Sequence, residues 1–234
     1  MHQQIKSIRL IVPLVVCFGF APMAQAVGPD TDGNIPGSNN GEGVGALVSR
    51  TTGVWNTGTG FEALNHLTAG NQNTATGLRA LFSDTNGGFN TATGVFSLFG
   101  NTSGFFNSAT GAYSLAHNTD GSYNTANGYG ALYFNTEDYN TANGYAALYR
   151  NALGSFNTAN GSQALLFNTI GSSNTAIGSN ALFSNIAGSN NTAIGRDALF
   201  SNATGGGNIA LGFWLASASP GPITLLLSAP MVRT

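Results

Sequence analysis

The sequence predicts an all-β protein, built as a parallel β-solenoid of about ten 17-residue coils. Three observations predict this fold: a pentad that recurs along most of the chain, a second apolar block at a fixed offset from each pentad, and a composition almost without charge. Of 234 residues, 33 are glycine, 28 are asparagine and only 7% are charged, against roughly 25% in an ordinary globular chain. A net charge of −2 with scattered basic residues argues against a nucleic-acid partner.

The amino terminus has the pattern of a secretory signal spanning residues 1–26. Lys6 and Arg9 form a basic segment, an apolar run follows, and small residues form a cleavage site near Ala26. The apolar run is too short to span a membrane, which needs roughly 20 residues. We therefore expect an exported chain. Its only cysteine, Cys17, is removed with the signal, so no disulfide or cysteine metal site is expected in the mature protein.

The pentad Asn-Thr-Ala-x-Gly defines the predicted solenoid domain, residues 39–212, which follows a linker at 27–38 and precedes an atypical tail or cap at 213–234. Successive pentads follow a 17-residue period, except for a single step that is shorter by one residue. A unit of this length has room for two or three short extended segments, whereas helical repeats need roughly 30 or more residues. Complete pentads begin at Asn73, Asn90, Asn107, Asn124, Asn140, Asn157, Asn174 and Asn191.

In a parallel solenoid, each residue stacks on the equivalent residue of the next coil, about 4.8 Å away. We expect the pentad asparagines to use this stacking, with each amide bonded to the coils above and below as a ladder. Simple turn propensity is the alternative explanation for asparagine at these places. Each unit also closes with an asparagine and then a glycine, as in Asn185 and Gly188. The glycines are expected at turns that need positive φ or close backbone approach.

A block of the type Ala-Leu-Phe lies seven residues into each unit. If it is a strand, it points leucine into the coil and points alanine and the aromatic residue to the other side. The predicted interior leucines are Leu81, Leu98, Leu115, Leu132, Leu148, Leu165, Leu182 and Leu199. The predicted outer stripe comprises Phe82, Phe99, Tyr133, Tyr149, Phe183 and Phe200. A second aromatic column closes several units, at Trp55, Phe89, Phe106, Tyr123, Tyr139 and Phe156.

The outer stripe is interpreted as an oligomer contact, because contiguous apolar surface of this length usually covers a partner. A lone thin solenoid also buries little apolar surface for each residue that it orders. Self-association removes the stripe from water. A monomer whose aromatic residues pack inside a wider coil is the alternative.

The sequence offers little for catalysis, and we expect no enzyme activity, cofactor, metal ion or nucleotide ligand. His66 and His117 are assigned to different repeat positions, so a shared site is not expected. The acidic pair Glu137 and Asp138 lies in the shortened unit and is interpreted as a solvated turn rather than a cation site. The glycine cluster at 41–45 lacks the strand and helix context of nucleotide binding.

The segment 174–182, Asn-Thr-Ala-Ile-Gly-Ser-Asn-Ala-Leu, resembles the head repeats of trimeric autotransporter adhesins of the Yersinia-adhesin type. It is also similar to the Asn-Thr-Ala-x-Gly arrays of bacterial surface proteins and of phage-like tail-fibre proteins. The resemblance covers residues 39–212. It implies a left-handed β-roll, a homotrimer, and attachment to a host matrix protein, a glycan or another surface. The adhesin heads have a shorter period than the repeat of this chain.

Three functions are compatible with these observations. The first is an exported, adhesin-like surface protein, and the second is a structural fibre or spacer without a ligand. The third is an ice-binding solenoid, since a column of threonines such as Thr74 is paired with a second column such as Thr76. Later coils replace the second threonine by asparagine or isoleucine, which spoils a regular hydroxyl lattice.

Overall fold

The computed structural model describes residues 39–214 and 225–227, and this part of the chain is all-β without a helix. Parallel strands of three residues form one sheet, in which every strand pairs with the next one along the chain. The predicted parallel β-solenoid is therefore confirmed. The predicted signal at 1–26 and the linker at 27–38 lie outside the described residues. The strands are β1 (Asn40–Glu42), β2 (Thr57–Thr59), β3 (Thr74–Thr76), β4 (Thr91–Thr93), β5 (Ser108–Thr110), β6 (Thr125–Asn127), β7 (Thr141–Asn143), β8 (Thr158–Asn160), β9 (Thr175–Ile177), β10 (Thr192–Ile194), β11 (Ile209–Leu211) and β12 (Leu225–Leu227).

Each strand places its residues directly beside the equivalent residues of the neighbouring coils. Between β3 and β4, for example, Thr74 lies opposite Thr91. The middle residue is buried in every strand from β1 to β11, and its two neighbours are more exposed. The single shorter step keeps this register, with Thr125 opposite Thr141, so the missing residue is absorbed in a turn.

The Ala-Leu-Phe block is not a strand, so the prediction of two or three extended segments in each coil is wrong. Leu81 has a φ of 50° and Arg79, two residues earlier, has a φ of 52°, both in the left-handed region. Side chains alternate between two sides only where the backbone is extended. Here Ala80 and Leu81 are both buried, and the alanine that was expected outside belongs to the core.

These left-handed segments are stabilised by burial of the leucine and by hydrogen bonds to both neighbouring coils. The left-handed conformation costs a residue with a Cβ atom about 1 to 2 kcal/mol, and full burial of a leucine side chain contributes about 1.5 to 3 kcal/mol. Arg79 N–H donates to Phe61 O in the preceding coil at 2.9 Å, and Leu81 N–H donates to Ser97 O in the following coil at 3.0 Å. All of the predicted interior leucines are fully buried.

The pentad asparagines form a buried column along the solenoid. Asn157 Oδ1 accepts the backbone N–H of Asn174 at 3.0 Å and its side-chain Nδ2 at 3.1 Å. The column contains all the predicted pentad asparagines, with Asn39 and Asn56 before them and Asn208 after them, and all of these are buried. The amides therefore bond from coil to coil, which simple turn propensity does not require.

A second buried asparagine column, which was not predicted as a ladder, runs beside the first. Asn185 Nδ2 donates to Asn168 Oδ1 at 2.7 Å and to Gly188 O at 2.9 Å. Asn174 of the first column donates to the same Gly188 carbonyl at 2.8 Å, so one carbonyl joins the two columns. The same arrangement recurs at Gly171. The second column comprises Asn101, Asn118, Asn135, Asn151, Asn168, Asn185 and Asn202.

In the 17-residue units, the corner that joins the columns has room only for glycine. A Cβ atom on Gly188 would lie 2.3 Å from Gly205 O and 2.4 Å from Asn185 Oδ1. At the end of a pentad, Gly77 has a φ of 135°, and its Cβ atom would lie 2.5 Å from Gly94 O. Positive φ and close backbone approach therefore both require glycine at the pentad end, whereas close approach alone requires it at the unit end.

The tail also contributes to the sheet. β12 pairs with β11 in register, with Ile209 opposite Leu225 and Leu211 opposite Leu227. Part of the segment that was predicted as an atypical tail or cap thus extends the β-sheet by one strand. Residues 215–224 and 228–234 lie outside the described residues.

Asn157→Leu is expected to destabilise the solenoid by about 2 to 4 kcal/mol. The change leaves the buried Asn174 N–H without its acceptor, which costs about 1 to 3 kcal/mol, and it removes one of the two donors to Gly171 O, a lost hydrogen bond worth about 1 kcal/mol. Asn160→Thr on the sheet surface of the same coil is the control, expected within about 0.5 kcal/mol of the parent. Urea unfolding followed by far-UV circular dichroism measures both. Equal stability of the two variants would contradict the conclusion that the column of pentad asparagines stabilises the solenoid.

Candidate binding surfaces

Three outer surfaces run along the solenoid, and each repeats the same register positions in every coil. The sheet face consists of the outward residues of the strands. The aromatic face lies on the turn segment after each pentad glycine and includes the predicted outer stripe. The third surface is a column of rings at the unit ends, which we term the aromatic ridge. The ridge consists of Phe89, Phe106, Tyr123, Tyr139 and Phe156.

The aromatic ridge is an unbroken stack of five rings. Its successive ring centroids are 4.8, 5.0, 4.9 and 5.0 Å apart, and the planes of neighbouring rings differ by 4° to 14°. The five side chains are 46% to 60% exposed. Rings that stack along the solenoid axis turn their edges outward, so the ridge presents a row of ring edges at the strand spacing.

A shared backbone conformation aligns the ridge. All five residues have φ between 57° and 60°, so each side chain leaves the coil in the same direction. Gln72 separates Trp55 from the ridge, and Ser173 and Asn190 occupy the same position in the coils after Phe156. The ridge therefore covers the middle of the solenoid and ends where the sequence replaces rings by small or polar residues.

The structure places the predicted oligomer stripe on the outside, but its rings are half-buried and the stripe is not continuous. Stacked pairs form between Phe82 and Phe99 at 5.3 Å, between Tyr133 and Tyr149 at 4.9 Å, and between Phe183 and Phe200 at 4.8 Å. Ala116 and Leu166 occupy the two positions between these pairs. The role of the stripe in association stays a prediction.

The aromatic face contains further rings that the sequence analysis missed. Phe96 stacks on Tyr113 at 5.4 Å, and Tyr129 stacks on Tyr145 at 5.8 Å. Tyr129, Tyr145 and the neighbouring Phe134 are exposed. Their spacing in the sequence could have identified these rings. The two members of each stacked pair are separated by the same number of residues as the pentads of their two coils.

Three arginines lie over rings of the aromatic face. The guanidinium carbon of Arg79 is 5.1 Å from the centroid of the Phe82 ring, and Arg150 lies 5.2 Å from Phe167. Arg196 lies 4.5 Å from Phe213. Arg79 also pairs with Glu62 at 2.6 Å. Cation–π contacts of this kind contribute about 0.5 to 1 kcal/mol at exposed sites, and they hold positive charge against the aromatic face.

The two histidines occupy the same register position, so their assignment to different repeat positions is wrong. His66 and His117 are separated by three full periods of the repeat and lie three coils apart on the aromatic face. The His66 ring contacts Phe82 at 4.4 Å, and the His117 ring contacts Tyr133 at 4.7 Å. Three strand spacings, about 14 Å, keep the two imidazoles out of any common site.

The acidic pair of the shortened unit is built into a turn. Asp138 Oδ1 accepts the N–H of Ser122 at 2.7 Å. The Glu137 carbonyl accepts Asn124 Nδ2 at 2.8 Å and Asn135 Nδ2 at 2.6 Å, and so replaces the glycine carbonyl that joins the two asparagine columns elsewhere. Within the described part of the chain, no three histidine, cysteine or acidic side chains cluster as metal ligands.

The sheet face changes character along the solenoid. Two threonines face outward in β2, β3 and β4, whereas asparagine replaces the second threonine in β6, β7 and β8. Isoleucine occupies that place in β9 and β10, where Ile177 and Ile194 are exposed. The regular hydroxyl lattice expected of an ice-binding face is therefore confined to one part of the sheet.

Asp84 is a buried acid at the start of the second asparagine column. Its Oδ1 accepts Gly87 N–H at 2.9 Å and Asn101 Nδ2 at 3.2 Å, while its Oδ2 has no hydrogen-bond partner among the described residues. Burial raises the pKa of the Asp84 carboxyl from 3.8 to about 7, and the bonds from Gly87 and Asn101 oppose this rise. The preceding coil has Leu67 at this position, and leucine has no polar group that needs a partner. Between coils, Asp84 therefore has to accept a hydrogen bond only from Asn101 in the following coil.

Comparison of the chain with protein-family models, curated proteins and solved structures finds no match. Among residues 39–214 and 225–227, no helix has the length and apolar character needed to cross a bilayer. The three surfaces are therefore the features of the molecule from which a function can be inferred.

Asp84→Asn is expected to stabilise the protein by about 1 to 3 kcal/mol at pH 8, because the amide removes the cost of a buried unpartnered carboxylate. The folded pKa lies above the unfolded value, so the contribution of Asp84 to the stability of the parent is fully present below about pH 4 and is lost as the pH rises through 7. The gain should therefore shrink toward zero at pH 4. Urea unfolding at both pH values measures it.

The exposed Asp120 provides the control for this change. Asp120→Asn is expected to stay within about 0.5 kcal/mol of the parent at both pH values. A gain for Asp84→Asn that is the same at pH 4 and pH 8 would contradict the assignment of the pH dependence to the Asp84 carboxyl.

Proposed function

We propose that this protein is an exported, adhesin-like repeat protein that attaches to a host matrix protein or a glycan, works as a homotrimer and has no enzymatic activity. The observation that supports this most directly is the exposed aromatic surface, which repeats at one strand spacing along a rigid solenoid. Exposed apolar patches of this extent on a soluble protein mark interaction sites. The predicted secretory signal, which ends near Ala26, supports export.

The aromatic ridge supports association of identical chains. Its ring edges are spaced at 4.8 to 5.0 Å, and a parallel copy of the same solenoid offers a surface with the same rise. Identical side chains stacked at this spacing form dry, interdigitated interfaces. In a parallel trimer, the ridges of the three chains can meet around the three-fold axis, where equivalent residues of each chain lie together. We assign the contact to the ridge rather than to the predicted stripe, because the ridge is unbroken and more exposed.

The aromatic face then remains available for a ligand. Tyrosine, phenylalanine and arginine are enriched at protein interfaces, and the aromatic face combines all three. Tyr129 and Tyr145 are exposed there, and Arg150 lies over Phe167 at 5.2 Å. A spacer without a ligand would need no such surface, so the two functions differ in whether the aromatic face binds.

Light scattering of the mature protein is expected to give three times the chain mass. The double variant Tyr123→Asn and Tyr139→Asn should reduce the mass to that of one chain, because it removes two adjacent ridge rings. Asparagine already occupies this position at Asn190 with a φ of 60°, so the backbone accepts it.

Tyr133→Leu with Tyr149→Leu is the control for the ridge variant, since Leu166 occupies the same stripe position. This variant should remain trimeric. Dissociation of the stripe variant alone would place the contact in the stripe, and a monomeric parent protein would rule out the trimer.

Attachment is tested by the binding of the mature protein to immobilised collagen, fibronectin and glycans. Tyr129→Ser with Tyr145→Ser should weaken binding at least tenfold, about 1.4 kcal/mol, because it removes a stacked exposed pair. Serine occupies this position at Ser162 and Ser179, so folding should be retained.

A sheet-face variant controls for general surface change. Thr125→Ser with Thr141→Ser, which copies the natural Ser108 of β5, should bind like the parent. Absence of binding to every immobilised surface would favour the spacer, and an equal loss in both double variants would remove the aromatic face from the binding site.

A further inference from the structure

The outer stripe lacks one ring at Ala116, and a cavity opens at this gap. Phe82 stacks on Phe99 on one side of the gap, and Tyr133 stacks on Tyr149 on the other. The cavity, which we term the ring slot, has a volume of about 240 Å³. Its lining residues are Phe96, Phe99, Tyr113, Ala116, His117 and Tyr133.

The two stacks face each other across the slot at a defined separation. Phe99 and Tyr133 belong to coils two steps apart, so their equivalent atoms lie about 9.6 Å from one another, twice the strand spacing. One ring inserted midway would lie about 4.8 Å from each neighbour. The existing pairs of the stripe have centroid separations of 4.8 to 5.3 Å, so the inserted ring would continue the stack at its own spacing.

The sides of the slot are rings from the coil of Ala116 itself. The Tyr113 ring centroid lies 6.3 Å from that of Tyr133, and the His117 ring centroid lies 4.7 Å from it. Phe134 stacks on His117 at 5.2 Å and holds the imidazole in place. Ala116 is buried and forms the floor. The slot is therefore an open surface pocket, lined by rings, with a methyl group in its floor.

The size and the lining of the slot favour a flat, uncharged ring. An apolar cavity of about 150 Å³ already accepts benzene, and the slot is larger. Two ring faces opposed at about twice the stacking distance match a planar group that stacks on both. None of the six lining residues is a carboxylate, the group that would balance the charge of a cationic ligand.

We propose that the ring slot binds one aromatic side chain presented by a protein partner, and that this ring takes the place of the missing member of the stripe. Aromatic residues dominate the binding energy of protein interfaces by filling such pockets. The identification of the partner as a protein rests on the proposed attachment function, whereas the specificity for an aromatic ring rests on the slot alone.

Ligand-observed saturation-transfer NMR tests the proposal with N-acetylphenylalaninamide as the probe and the mature protein as the receptor. The phenyl protons should receive saturation from the protein. Ala116→Phe fills the slot with the residue found at the same position in four other coils, at Phe82, Phe99, Phe183 and Phe200, and it should reduce the signal at least fivefold. Ala116→Leu, which copies the natural Leu166, is a second filling variant should the first fail to fold.

Leu166→Phe is the matched control, because it adds the same ring at the same register position three coils away and leaves the slot open. It should keep the parental signal. A signal that survives both filling variants, or that Leu166→Phe reduces equally, would overturn the proposal.

Competing ligands distinguish the chemistry of the slot. Tetramethylammonium chloride and methyl β-glucopyranoside should displace the probe less well than N-acetyltryptophanamide. Stronger displacement by tetramethylammonium would make the slot a cation cage, and stronger displacement by the glucoside would make it a sugar site, and either result overturns the proposal. Probe binding lost in Ala116→Phe, together with a parent protein that attaches to no surface, would leave the slot standing and refute the attachment function.

Discussion

The stacking of each residue on its own equivalent in the next coil is the constraint on which the rest of the structure depends. Each coil has one three-residue strand, so the sheet alone ties only a small part of it to its neighbours. Backbone hydrogen bonds between the turns of neighbouring coils, such as that from Leu81 N–H to Ser97 O, tie part of the rest. Two buried amide columns also join the coils, and they meet at a single carbonyl such as Gly188 O. An amide suits this task because it donates and accepts at once, and so it satisfies the coils on both sides.

The same constraint accounts for the composition. A charge at an interior position would stack on its own kind at one strand spacing and repel it, whereas asparagine, leucine and alanine can repeat without limit. Asp84 is informative because it breaks this pattern at an end. With Leu67 on one side and Asn101 on the other, only an acceptor is needed there, and burial raises the pKa of the carboxyl that provides it.

Stacking governs the outer surfaces in the same way. Where rings repeat without interruption, they form the aromatic ridge, and where one is missing, the neighbouring rings become the walls of a slot. A substitution at a single position such as Ala116 thus changes a continuous surface into a site of defined size. In a solenoid of this kind, an uninterrupted column of rings forms a continuous surface, whereas an interruption of the column forms a local cavity.

The sequence alone determined the period, the parallel stacking, the interior leucines and the pentad asparagine ladder, since a fixed period decides which residues are neighbours along the axis. The direction of each side chain around the coil was decided by the tertiary structure. Left-handed residues such as Leu81 and Tyr123 turn the chain without the alternation of a strand, so Ala80 lies inside and the unit-end rings are more exposed than the stripe. The slot around Ala116 also depends on rings from three coils, and only their packing around one gap shows that they line it.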